Sequence, residues 1–285
     1  MKRKRGSCHP AVTLFLSLCL FSMGHSAYAE DYDDEMHFQN GEEMDFAVKY
    51  KYGLVVITAA TGQHTIKATT YSGESAMRSM FTLKTTSFFN SVYKIRDTLT
   101  SYARTPDLQP LYFHRIVHEP DYHFYEWMTT KKFSNEQTQV YLKRVREKRD
   151  PVDSVMVAKA AGYDILGAIN LFRTLAYDSL AIGTARRITV FFGFDQTNLV
   201  IRYTGKHTIT VGKYRYKTVK LNIDIVNIKE GDNAFTTSKD ALEVWLSDDP
   251  NRVPIRMKAK LKFGAIEGEL TGTKNLKHPF AAQFK

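Results

Sequence analysis

The chain has 285 residues and a formal net charge of +10, and both of its cysteines, Cys8 and Cys19, fall within the first thirty residues. A secretion-type segment ends at Ala29, and the 285 − 29 = 256 residues beyond it hold no cysteine. Disulfides, thiol nucleophiles and cysteine-ligated zinc are thereby excluded there. Residues 1–29 carry four cations and no acids, so the balance left is 10 − 4 = +6, a mild excess that gives no warrant for a nucleic-acid partner.

The first element is that leader. Lys2, Arg3, Lys4 and Arg5 precede an apolar run from Ala11 to Met23, and Ala27-Tyr28-Ala29 supplies the small-x-small pattern of a signal-peptidase site. The run is short for a bilayer span and no second one follows, so cleavage before Glu30 and export, with the periplasm as destination, are expected. Leu18 before Cys19 does not suit lipoprotein processing. Residues 30–41, "EDYDDEMHFQNG", are acidic and aperiodic and read as a lead-in. Residues 42–285 read as one β-rich domain.

From Glu42 the pattern is short strands between Gly, Pro, Asn and Asp punctuation. They are expected at 43–50, 54–60, 63–72, 77–86, 93–103, 111–119, 122–132 and 137–146. A second set falls at 186–194, 197–204, 206–212, 214–228, 241–247, 253–263 and 265–272. This spacing predicts a mainly β fold, a curled antiparallel sheet forming a half-barrel or barrel. One segment departs from it: Ile165, Leu166, Ile169, Phe172, Leu175 and Ala176 recur at three- and four-residue steps, predicting a helix over about 160–177 packed on the sheet.

The last three strands can be paired on paper. "VPIRMKAKLKF" (253–263) alternates without a fault, setting Arg256, Lys258, Lys260 and Lys262 on one face. With "DDPNR" as a turn, Val244 meets Met257, Trp245 meets Arg256 and Glu243 meets Lys258; Leu246 then faces Ile255. A tight turn at Gly264-Ala265 would place Lys260 against Glu269 and Lys262 against Glu267. The cation row is then internally paired rather than a polyanion ladder, which needs unpaired cations.

Other motifs weigh less. Asp248 and Asp249 are adjacent in that turn and diverge, unlike a glycosidase pair. "FHRIVHEPDYHFYEW" holds His114, His118, His123, Glu119 and Glu126, but its His-Glu-x-x-x-His spacing is one residue too long for the zinc-protease helix and Pro120 breaks it. An envelope hydrolase built on Glu119, His118 and His123 is the enzymatic alternative. Lys131, Lys132, Lys143, Arg144 and Arg146 form the densest basic patch, an anionic glycan or headgroup surface in the minority reading. No phosphate loop, dinucleotide pattern or nucleophile elbow is present.

Taken together, "GEEMDFAVKYKYGLVVITAAT", "VYKIRDTLTSYARTPDLQPLYFHRIVHE", "DILGAINLFRTL", "VIRYTGKHTI" and "EVWLSDDPNRVPIRMKAKLKFGAIEGELTG" resemble domain-of-unknown-function family 3108, exported proteins of Gram-negative bacteria. Asp97–Tyr102, Arg173-Thr174 and the "WLSDDPNRVPIR" turn carry most of the likeness. The resemblance implies a periplasmic antiparallel β fold shaped like lipoprotein-carrier half-barrels, with no activity and no catalytic residues to carry over. The function expected is a non-enzymatic envelope protein holding an apolar ligand or lipidated partner between sheet and helix, without cofactor or metal. Ile165, Ile169, Phe172 and Leu175 of the helix would face Val244, Met257 and Leu261 of the meander. A structural scaffold with a sealed core is the equally economical alternative.

Overall fold

A computed structural model describes residues 35–285 except 92, 106, 121, 135–136, 159–160, 228–236 and 262. The leader, the start of the lead-in, Ala160 and Lys262 therefore lie outside the described residues. The N-terminal half contributes β1 (Glu42–Tyr52), β2 (Val55–Tyr71), β3 (Glu74–Thr85), α1 (Ser87–Asn90), β4 (Arg96–Arg104), β5 (Pro110–Glu119), β6 (Tyr122–Ser134), β7 (Gln137–Arg146) and β8 (Val152–Ala158). After β9 (Gly162–Tyr163) and α2 (Ile165–Arg173) come β10 (Ala185–Phe192), β11 (Asp195–Val211), β12 (Tyr214–Asn227), β13 (Thr237–Ser247), β14 (Pro254–Lys260), β15 (Ala265–Lys274) and β16 (Gln283–Phe284).

The strands form one sheet in the order β8-β7-β6-β5-β4-β3-β2-β1-β15-β14-β13-β12-β11-β10-β9, with β16 on β12. Two antiparallel meanders thus lie side by side, joined where β1 pairs β15, as in Lys49↔Glu267. The chain must cross from the β8 edge to the β10 edge at its midpoint, and α2 occupies that crossing. The sheet rolls into a nearly closed barrel. Its seam is marked at β10, where Val190 packs with one core cluster and Phe191 with Phe113, Met128, Val140 and Leu142 of β5, β6 and β7. Closure of this kind leaves little sheet edge for another chain to extend.

The helix is shorter than the periodicity suggests. Asp164 caps it, accepting from the backbone N–H of Leu166 and Gly167 at 2.9 Å each, and Thr174 ends it. Leu175 and Tyr177 continue as buried core beyond the last turn. A second helix, α1, is one turn long. Two pairs of expected strands are single long ones, β2 and β11; β11 bends at a bulge where Gly205 has φ +107°. Strand β8, "VDSVMVA", was not expected, because its polar start masks the alternation.

The β13–β14 register is as drawn from sequence at Val244↔Met257, Trp245↔Arg256 and Glu243↔Lys258, but a bulge sets Leu246 against Pro254 rather than Ile255. The β14–β15 register differs by four residues: Arg256 faces Glu269, Lys258 faces Glu267 and Lys260 faces Ala265. The connection is wider than a two-residue turn, with the Leu261 N–H donating to Gly264 O at 3.1 Å. Gly264 holds φ +80°, and a Cβ there would lie 2.2 Å from Lys51 O. An even slip preserves the faces, so the cation row stays on the face opposite Met257. Arg256 meets Glu269 at 2.8 Å and Lys258 meets Glu243 at 3.5 Å, whereas Lys260, opposite Ala265, forms no direct ion pair among the described residues. Glu269 and Glu267 are shared instead with Lys49 and Lys51 of β1.

Candidate functional site: an apolar cavity between helix and sheet

Helix α2 is buried nearly all round; Leu166, Ala168, Asn170, Leu171, Phe172 and Arg173 are all inaccessible. Its two partly accessible positions, Ile165 and Ile169, lie one turn apart and face a cavity of about 580 Å³. Opposite them, Val48, Gly268, Met257 and Val244 form one cross-strand row over β1, β15, β14 and β13. Space exists because the inward row carries small residues: a Cβ at Gly268 would touch only Met257 Cε, at 3.7 Å, and Ala168 and Ala259 also line the wall. A second lobe of about 200 Å³ shares Phe46, Phe81, Ile165, Ile169 and Met257 with the first.

Of the residues singled out by sequence, Ile165, Ile169, Phe172, Val244 and Met257 border the main cavity. Leu175 does not: it lies past the helix end and is sealed in the core at 2% exposure. Leu261 does not either, because the wider β14–β15 connection takes it out of the sheet and leaves it 44% exposed. Phe46, Phe81, Leu83, Val190 and Leu199 line the cavity and were missed. Each sits on an alternating strand, so its burial was readable, but which strands surround the helix depends on the β1–β15 junction.

Two polar groups meet the smaller lobe. His64 is 4% exposed and its Nε2 has no hydrogen-bond partner; burial, with the Arg173 charge contributing less, pushes its imidazole down to about 3. Asp97 has its carboxyl pushed up by burial, although the His118 backbone N–H donates to it at 3.0 Å. The main cavity adds Thr197 and the ion pair of Glu243 with Lys258 at 3.5 Å to its lining. Asp164, whose carboxyl burial also raises, is already engaged by the Ser101 hydroxyl at 2.5 Å and two helix N–H groups.

The histidine-rich hairpin sets its two glutamates on the face opposite His118 and His123. His118 and His123 are register partners with ring centroids 5.6 Å apart, and His118 also reaches the Tyr125 hydroxyl at 3.3 Å. Glu119 accepts from the Tyr93 hydroxyl at 2.8 Å, and Glu126, 1% exposed, is held between Arg115 and Arg144. His114 stacks on Trp127 with 4° between ring planes. Among the described residues, no three His, Cys, Asp or Glu side chains converge as a metal site.

The basic patch divides likewise. Lys131, Lys132 and Lys143 are exposed, but Arg144 turns inward to Glu126 at the seam and over the Phe194 ring at 4.6 Å, while Arg146 lies 5.6 Å from the Tyr122 ring. Asp248 and Asp249 serve their turn. Asp249 accepts from the Ser247 hydroxyl, Asn251 N–H and Ala282 N–H, and Asp248 meets Arg252 and Lys206.

Comparison with known proteins agrees with this geometry. The sequence profile described as protein of unknown function (DUF3108) matches residues 45–271. A search of curated proteins finds no match. The fold is similar to the crystal structure of a β-barrel-like protein of domain of unknown function DUF1849 from Brucella abortus. That likeness has a TM-score of 0.53 at 8% identity, over 83% of this chain and 98% of the other. Among the described residues no helix is long and apolar enough to cross a membrane.

Proposed function

The chain belongs to the DUF3108 family of proteins of unknown function, and on that premise we propose that it is an exported cell-envelope protein that binds an apolar ligand, an acyl chain or a lipidated partner, between α2 and the sheet. The carrying observation is the cavity of about 580 Å³ with mostly apolar walls, only Thr197, Glu243 and Lys258 adding polar groups, against a helix that a sealed core would have packed shut. Small-molecule sites run from about 300 to 1,000 Å³, and this one falls in the middle. Well-packed interiors seldom tolerate unfilled space of that size, since each missing contact forfeits dispersion energy. The charged wall residues Glu243 and Lys258 are engaged with each other, and Glu243 also with Lys220, which supports binding rather than turnover.

Native mass spectrometry of protein purified without detergent tests this reading. A bound species of lipid mass, released on denaturation and displaced by an added fatty-acyl probe, is the outcome expected. Val244→Trp, which fills the cavity from β13, should abolish probe uptake while leaving the fold intact. A ligand-free spectrum together with no probe uptake by the parent protein would leave the scaffold reading in its place.

A further inference from the structure

The end of the barrel at which the cavity opens carries apolar side chains that the monomer does not cover. Phe192 and Ile266 are wall and surface at once: both line the cavity, and they are 46% and 41% exposed. Beside Ile266 the β14–β15 tip presents Phe263 at 63% exposure. That tip is braced on the β1–β2 tip by the Tyr50 hydroxyl, which donates to Phe263 O at 3.1 Å. The β1–β2 tip itself protrudes. Strand β3 stops where Thr85 pairs Ala60, so β2 residues 55–59 have no β3 register partner. Leu54 at its apex is fully exposed at 102%. Val56 and Ile57, successive residues on opposite faces, are 54% and 37% exposed. The β2 arm of this hairpin is apolar on both faces beside Lys49 and Lys51 of β1, which packing within the chain does not explain, and exposed apolar patches of this kind mark contact sites.

Charge identifies the partner. Around these tips Lys84, Lys94 and Lys260 are exposed with no ion-pair partner among the described residues. Of the acids at this end, Glu243 is paired with Lys220 and Lys258 and Glu267 with Lys51, while Asp195, the register partner of Phe192, is exposed with no ion pair among the described residues. Apolar tips flanked by the exposed Lys84 and Lys94, and by Lys260 within reach of the Glu243 charge, fit an anionic bilayer surface, where lysines are drawn to headgroups and apolar side chains enter the interfacial layer. A ligand leaving between Phe192 and Ile266 then passes from cavity to lipid without crossing water.

We propose that the cavity-mouth end, led by Leu54 and Val56 of the β1–β2 tip and Phe263 of the β14–β15 tip, docks on an anionic lipid bilayer. This rests on the apolar-ligand reading for its purpose but is tested apart from it. Flotation of the full chain with phosphatidylglycerol vesicles should show binding that weakens as salt rises and is much reduced with phosphatidylcholine alone. Leu54→Asp with Val56→Asp should cut vesicle binding at least about tenfold. Lys84→Glu or Lys260→Glu should each cost about fivefold on anionic vesicles only.

Uptake of a fluorescent acyl probe, measured in solution on the same variants, should stay at the parent level. Retained vesicle binding in the Leu54/Val56 variant overturns the proposal. So does a dimer of the parent, seen by light scattering, that the same substitutions dissolve, because the tip then serves a second copy. Vesicle binding with no probe uptake sinks the carrier reading and leaves the docking surface standing.

Discussion

Arg173 and Glu42 form an ion pair at 2.6 Å in which neither side chain is exposed to solvent. The remaining guanidinium hydrogens go to Asn251 O at 2.8 and 3.2 Å and to His37 O at 3.1 Å, and the Phe38 ring lies 5.1 Å away. One side chain at the end of α2 thereby ties together β1, the lead-in and the β13–β14 turn. That turn is locked in its own right: Asn251 Nδ2 donates to His278 O and the His278 N–H donates back to Asn251 Oδ1.

Removing one member of such a pair strands a buried charge, so Glu42→Gln should destabilise the protein by about 3–5 kcal/mol. The double substitution Arg173→Met with Glu42→Leu should recover most of that loss, because no charge is left without its counterpart. Urea unfolding of the single and double variants checks this. A single variant as stable as the parent would show that the pair contributes nothing.

His64 gives a pH dependence of definite sign. Its imidazole is held neutral in the fold, down to about 3, against 6.5 when unfolded. The unfolded chain therefore takes up a proton that the folded chain refuses as pH falls below 6.5. The stability tied to this group is complete above 6.5 and is lost on the way down to about 3, by at most about 1.4 kcal/mol per pH unit. Between pH 7.5 and 4.5 the parent should lose about 2–3 kcal/mol more than His64→Gln, whose other titrating groups are the same. Parallel profiles from chemical denaturation would refute it.

At the barrel seam Glu126 accepts from Arg144 Nε at 2.6 Å and meets Arg115 at 3.2 Å, while Arg144 lies 4.6 Å from the Phe194 ring and Arg115 4.5 Å from the Phe192 ring. Glu126→Gln leaves two half-buried cations facing each other and should cost about 3 kcal/mol. Because the site is screened from solvent, 1 M salt should restore little of it. Thermal unfolding at low and high salt gives the answer, and full recovery in salt would place the pair at the surface.

Gly162 is covered by an aromatic ring: a Cβ there would lie 2.4 Å from Phe191 Cζ. Gly162→Ala should destabilise by about 1–3 kcal/mol, and Phe191→Leu in the same chain should relieve part of that clash. Gly268, open toward the cavity, supplies the contrast. Its alanine variant has room and should keep the parent's stability.

Alternation and turn chemistry, both local, made most strands legible, along with the β13–β14 pairing and the existence of α2. They also put Ile165, Ile169, Phe172, Val244 and Met257 on inward faces. What the sequence by itself determined is which side of each element is apolar, because a side chain's direction follows from backbone period alone. Only the tertiary structure decided the β14–β15 register: an even slip leaves every face unchanged, so the hydrophobic pattern cannot choose between turns, and competition from Lys49 and Lys51 for Glu269 and Glu267 accompanies the wider one. Only the tertiary structure, likewise, decided that Leu261 leaves the sheet and Leu175 is sealed, and that β1 joins β15 to wrap the small residues Gly268, Ala168 and Ala259 around an unfilled space. A cavity is a property of residues distant in the chain failing to meet, and no local period records it.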